Sequence, residues 1–352
     1  MTVLSLPGRT AVRVGSVSVE VRPRAATTTA LLALTAVAVG CVAVSVGDYV
    51  VPLPDVLRGL VGVGEPGPVL VVQTLRLPRV LTGLLVGAAF GLAGALTQTV
   101  TRNPLASPDV VGLTTGASAA AVLALLAGVP LPLPVAAVLG GFVVAALLVA
   151  LSWRSGSSGP RLVLVGIGLA AAGSALTDYL LVRAEIEEAQ RAVIWLTGSL
   201  NGRGWEHVRP VAVALLVLLP AALALGRGLS QLSLGDDVAR ALGLRVDRTR
   251  LAAVAVAVGL AGVATASAGP VLFVALVAPQ VALRLARTPT PPLAASAAAG
   301  ALLVVAADLL GRTGLSALGL ATAELPVGAV TALVGAPVLL WLLRRSVLRR
   351  PA

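Results

Sequence analysis

Ten apolar blocks, most of them long enough to cross a bilayer, divide this chain, and nothing constrains its fold more. They run over residues 26–47, 79–100, 111–127, 132–152, 162–182, 208–226, 251–268, 271–283, 293–310 and 326–343. A spanning helix needs about 20 apolar residues to match a hydrocarbon layer of ~30 Å. The block at 271–283 falls short of that and suits a half-helix in the core of a bundle. The first block is too long for the apolar core of a secretory signal and is expected to be a spanning helix. Only 12% of the 352 residues are charged and 57% are hydrophobic. A soluble domain carries about 25% charged residues, and a soluble fold of this composition would leave large apolar patches outside. The expectation is an all-α integral membrane protein, with a single transmembrane domain over 26–345 between polar tails at 1–25 and 346–352.

All 26 basic residues are arginine, and the formal net charge is +11. The arginines sit in short runs between apolar blocks, which is a topology signal and argues against a nucleic-acid surface. Arg58, Arg76, Arg79, Arg183, Arg191, Arg203, Arg209 and Arg312 fall in one alternating set of connections, and the larger remainder falls in the other set with both termini. The positive-inside rule then places both termini in the cytoplasm. The absence of lysine excludes a standard P-loop, whose lysine reaches the nucleotide phosphates. If ATP drives this protein, another subunit hydrolyses it, and the chain itself is expected to bind no cofactor and to be no enzyme. Cys41 is the lone cysteine and forms no intrachain disulfide. His207 is the lone histidine, in an outer connection without a metal-ligand cluster around it.

Gly91-Leu92-Ala93-Gly94-Ala95-Leu96-Thr97 recurs in outline as Gly259-Leu260-Ala261-Gly262-Val263-Ala264-Thr265. Five blocks separate the copies, so the halves would be inverted in the membrane, as in many transporters. Gly83, Gly87, Gly91 and Gly94 form a small-residue stripe suited to close helix packing. Asp178, Asp308 and Glu324 lie in or near apolar blocks, where ion coupling is one use of a carboxylate and helix-end or interhelical bonding is the expected one.

The densest pattern runs from Leu75 to Ala119: an Arg-x-Pro-Arg opening, a glycine-rich helix, then Asn103-Pro104-Leu105-Ala106 and Pro108 breaking the chain. Further pieces are LGDDVARALGLRVDRTR (234–250), GPVLFVALVAPQVALRLA (269–286), AADLLGR (306–312) and ELPVGAVTALVGAPVLLWLL (324–343). In order and spacing, from about residue 75 to 345, the chain resembles the iron-siderophore and vitamin B12 class of ABC importer permeases. The segment from Trp195 to Trp205 is similar to ferric enterobactin permeases in particular.

The resemblance implies ten helices per subunit, a second permease subunit in a heterodimer, two ABC ATPase subunits, a substrate-binding protein and a ferric siderophore as cargo. It assigns Arg76, Arg79 and Arg312 to docking of the binding protein, where an Arg–carboxylate pair gives direction. It assigns Leu234, Gly235, Asp236, Asp237, Arg240, Leu242 and Gly243 to coupling with the ATPase, within a 228–250 loop expected to form two short helices. Asn103, Pro104 and Leu105, with Ser157 and Ser158, match its inner gate. Ser174, Thr177 and Thr331 are the polar groups expected along an otherwise apolar pathway. The chain departs from the family at Pro279-Gln280, where histidine usually follows the proline. A vitamin B12 or haem importer permease is the nearest alternative. An ion-coupled secondary transporter using Asp178 and Asp308, or a sensory membrane protein, lies further off.

Overall fold

The computed structural model describes residues 2–348 apart from 7–8, 15–16, 48–50, 61, 110–111, 129–130, 154–158 and 318–323. Among the described residues, seven helices are long and apolar enough to span a membrane, and three shorter apolar helices accompany them. Together they coincide with the ten blocks.

The chain order is α1 (Pro23–Ser45), α2 (Leu53–Leu60), α3 (Pro66–Leu70), a π-helical turn (Val71–Arg76), α4 (Leu77–Thr101), α5 (Leu113–Leu126), α6 (Leu133–Trp153), α7 (Gly159–Arg183), α8 (Ile186–Leu196), α9 (Trp205–Leu232), α10 (Asp236–Ala241), α11 (Val246–Ala268), α12 (Val274–Ala286), α13 (Leu293–Ala317) and α14 (Val327–Leu348). Ahead of α1, residues Thr2–Leu6, Arg9–Val14 and Val17–Val21 pair as an antiparallel three-stranded meander. The N-terminal tail is therefore not helical. Alternating β-branched and polar residues around Pro7-Gly8 and Gly15-Ser16 favour strands over a helix.

Burial sorts the bundle into a centre and a rim. In α4 and α11, 78% and 72% of the spanning window is buried, against 11% in α7 and 22% in α9. The two echoed heptapeptides fall on the two central helices. Lipid drives no hydrophobic association, so helices meet through close van der Waals approach. A Cβ at Gly87 would strike the backbone of Gly300 on α13, one at Gly91 would strike Ser296, and one at Gly94 would strike Ala275 on α12. The contact at Ala275 has a local cause. Pro279 has no N–H to return to the carbonyl four residues earlier, and Gly94 lets α4 lie directly over that carbonyl.

Three boundaries differ from the sequence expectation. The second span starts well before residue 79, because α3 and the π turn run straight into α4 as one helix from Pro66 to Thr101. Helix α5 has only 14 residues and at ~1.5 Å per residue does not reach across ~30 Å, while α12, with 13, is short as expected. The 228–250 segment holds one short helix, α10, rather than two, since the residues after Gly243 are the first turns of α11.

Candidate functional site

Helix α4 carries Arg79 in its first turn and Arg102 at its C-cap, about 35 Å apart along the axis. Each arginine meets a carboxylate, and each carboxylate meets a second arginine. The bundle thus has an arginine–carboxylate–arginine triad at each end.

At the first end, Arg79 holds Asp308 of α13 at 2.9 Å and Glu324 at 3.1 Å. Asp308 also pairs with Arg312, one turn further along α13, at 3.3 Å. The Asp308 and Arg312 side chains are 5% and 7% exposed and Arg79 is 13% exposed, whereas Glu324 stands 39% exposed. Arg76 is buried beside them and donates to the Val44 and Ser45 carbonyls at the end of α1 at 2.9 and 3.1 Å. Arg312 donates to the Ala43 carbonyl at 3.0 Å. The structure brings the three expected docking arginines together, but their guanidinium groups are committed to partners inside the chain. Desolvating an arginine is costly, so it persists only where carboxylates and carbonyls replace the lost water. A cavity of about 560 Å³ opens beside Arg79 and Glu324, with Arg191, Arg203, Asn201 and Trp195 on its far wall. The Trp195–Trp205 segment is stitched in place there: Ser199 N–H donates to the Ala268 carbonyl at 2.8 Å and Gly328 N–H to Gly198 at 3.1 Å.

At the other end, Arg102 in a left-handed cap (φ 54°) reaches Asp236, the first residue of α10. Arg250 on α11 donates to the same carboxylate at 3.0 Å. Asp236 is thus an internal clamp and Asp237 is fully exposed, so the two adjacent acids have different roles. Around α10, Leu234, Val238 and Leu242 are 61%, 48% and 57% exposed. Val238 lies on α10, Leu234 precedes its N-cap Gly235 and Leu242 is its C-cap, all beyond the end of the spanning segment. Gly235 (φ 111°) and Gly243 (φ 83°) make the tight turns that isolate this helix. Arg240 pairs with Asp237 at 3.5 Å on the surface.

The Asn103-Pro104-Leu105 turn is ordered. Asn103 Oδ1 accepts from Leu105 N–H at 3.0 Å, and Ala106 N–H donates to the Asn103 carbonyl at 3.1 Å. Ser157 and Ser158 lie outside the described residues.

The three expected pathway hydroxyls do not converge. Thr331 lines an apolar cavity of about 110 Å³ between α12, α13 and α14. Ser174 and Thr177 line another, of about 260 Å³, with Asp109 and Asp178. Burial pushes the Asp109 carboxyl up to about 6, partly offset by a hydrogen bond from Thr114. The wall beside α7 therefore carries Asp178, noted in the sequence, and Asp109, which the expectation of an apolar pathway had missed. His207, expected as a plain surface residue, accepts the Gly204 N–H through Nδ1 at 3.3 Å in the first turn of α9.

Sequence reasoning also missed Val238, Arg102 and Arg250. The Leu234-Val238-Leu242 spacing was the available signal for the first. No local pattern announced the other two, which reach Asp236 across 134 and 14 positions. Gln280 proves to be paired: its Nε2 donates to Gln98 Oε1 at 2.7 Å, and Gln98 Nε2 donates to the Leu276 carbonyl at 3.0 Å.

Residues 32–345 match the family described as the FecCD transport family. The chain is 42% identical over 299 residues to the ferric enterobactin transport system permease protein FepG of Escherichia coli (strain K12), covering 84% of this chain and 89% of that protein. It is 41% identical over 317 residues to the Fe(3+) dicitrate transport system permease protein FecD of the same organism, covering 87% and 95%. Among solved structures it superposes on an inward-facing metal-chelate type ABC transporter with a TM-score of 0.79 at 28% identity, covering 91% of this chain and 99% of that one.

Proposed function

The chain belongs to the FecCD transport family, and from that premise we propose that it carries a ferric siderophore from a binding protein across the cytoplasmic membrane, with both termini in the cytoplasm. The observation that carries this reading is near-full-length identity to permeases named for iron(III) chelates. Identity at 42% and 41% to an enterobactin and a dicitrate permease does not choose between chelates. The shared feature is an iron(III) chelate, and among such chelates a ferric siderophore is the proposed cargo.

The proposed mechanism follows from the two ends. The end with the 560 Å³ cavity faces the binding protein. Glu324, Arg191 and the Trp195–Trp205 segment supply the contact surface, and Arg76, Arg79 and Arg312 hold that surface rigid. At the other end, α10 presents Leu234, Val238 and Leu242 to an ABC ATPase, and Asp236 ties that helix to α4 and α11. Nucleotide binding on the partner shifts α10. The Arg102–Asp236–Arg250 clamp passes the shift to the central helices, and the population moves between outward- and inward-open packing. The Asn103-Pro104-Leu105 turn, next to Arg102 on the same chain, narrows the inner mouth in this reading. This chain performs no covalent chemistry in the cycle.

Uptake of radio-iron in a strain lacking the gene, supplied with a panel of ferric chelates, tests the assignment. Loss of uptake for one or more iron(III) chelates, restored by the gene, is expected. Normal uptake of every chelate together with lost vitamin B12 or haem uptake would overturn it.

A further inference from the structure

A cleft of about 650 Å³ lies between the first two turns of α1 and the last turns of α9, with Thr99 of α4 and the 288–294 segment completing it. The transport reading makes no use of it. Its lining includes two charged side chains, Arg22 and Arg227, and no carboxylate. Thr29, Ser230 and Thr288 add hydroxyls, and Leu223, Leu229 and Leu293 add apolar wall. Arg24, next in line on α1, is turned elsewhere and donates to the Leu285 carbonyl at 3.3 Å. Among the described residues, Arg227 makes no ion pair.

What lies alongside the cleft identifies an occupant. Further back along α9, on the helix face that carries Leu223 and Arg227, Leu216 is 77% exposed, and Leu223 itself is 49% exposed. This face belongs to a spanning segment, and its exposed apolar side suits acyl chains. The cleft is therefore positive and hydroxyl-lined at the membrane boundary and continuous with the apolar side of α9 above. It is far larger than a free anion requires. An acidic protein segment would match the arginines but not the apolar continuation.

We propose that this cleft binds an anionic phospholipid, its phosphodiester between Arg22 and Arg227 and its acyl chains along α9. Each arginine near an anionic membrane surface contributes on the order of 1 kcal/mol, which corresponds to about fivefold in affinity.

The test uses the purified full-length permease in neutral detergent, titrated with phosphatidylglycerol, with phosphatidylcholine of the same chains and, separately, with inorganic phosphate. Native mass spectrometry reads bound lipid and thermal unfolding reads protection. Retention of phosphatidylglycerol over phosphatidylcholine is expected, with about a fivefold loss of affinity in Arg22→Gln and in Arg227→Gln and near-complete rescue in Arg227→Lys. Ala224→Trp keeps the charge but fills the cleft, and it should also displace the lipid should either arginine variant fold poorly. Equal binding of both lipids, unchanged affinity in all three loss variants, or protection by inorganic phosphate equal to that by phosphatidylglycerol would overturn the proposal. None of these readouts depends on transport, so the inference stands or falls apart from the assigned cargo.

Discussion

The two triads share a composition and differ in burial. Arg79, Asp308 and Arg312 are 13%, 5% and 7% exposed and join two spanning helices, α4 and α13. Arg102, Asp236 and Arg250 are 36%, 21% and 3% exposed and join the central helices to a six-residue helix outside the spanning bundle. A buried triad has no water to fall back on, so breaking it leaves an uncompensated charge and it behaves as a rigid joint. A half-wet triad can open and re-form at modest cost. The same three groups therefore make a fixed joint at one end and a partly hydrated, more easily opened one at the other.

If that contrast is right, Asp308→Ala is the most damaging single change. Stranding Arg79 and Arg312 should cost about 4 kcal/mol, read as loss of folded protein in fluorescence-detected size exclusion and a lower unfolding temperature. Wild-type stability in this variant would erase the distinction between the triads.

Replacing Leu234, Val238 and Leu242 together by serine should act on assembly and not on folding. Stability should stay within ~0.5 kcal/mol, as for exposed positions generally, while ATPase co-purification falls by about 2 kcal/mol or more in affinity. A triple variant that retains its partner would remove α10 from the coupling role.

Asp236→Asn should cost only about 1–2 kcal/mol, leave the fold intact and lower ATP-dependent uptake relative to ATP hydrolysis. An equal fall in both would mean that the clamp serves stability alone. Asp237→Arg is the matched control: that side chain is fully exposed, so its effect isolates the partner contact from the clamp.

The smallest effect concerns Asp109, outside both triads. Its folded-state pKa is raised from 3.8 to about 6. The folded state therefore favours the protonated form, and that contribution is complete at low pH and is lost as pH rises through about 6. Asp109→Asn should raise the unfolding temperature at pH 8 and leave it little changed at pH 4. An equal shift at both values would separate the residue from any titration.

The spans were legible because a bilayer demands length and apolarity, both of which are local properties of sequence. The stripe Gly87-Gly91-Gly94 likewise marked a packed helix, although its partners Gly300, Ser296 and Ala275 could not be named from spacing. Pairings across the fold were not legible: Arg79 and Asp308 are 229 positions apart. The outer arginines illustrate the loss. Their position against the charge-topology rule was visible, but their commitment to internal carboxylates and to the carbonyls of α1 was not. Asp109 was missed for a similar reason. It stands in a proline-marked connection that looks exposed in sequence, whereas the shortness of α5 draws it in beside α7.

The paired amides of Gln98 and Gln280 have a consequence for the energy source. They join α4 to α12 by hydrogen bonds that carry no net charge and that no pH in the biological range can alter. A unit charge moved through a membrane at 100 mV exchanges about 2.3 kcal/mol with the electric field. A neutral joint exchanges none. When α12 slides or tilts against α4, the voltage across the membrane neither pulls on that joint nor resists it, and its motion leaves no trace in a capacitance measurement.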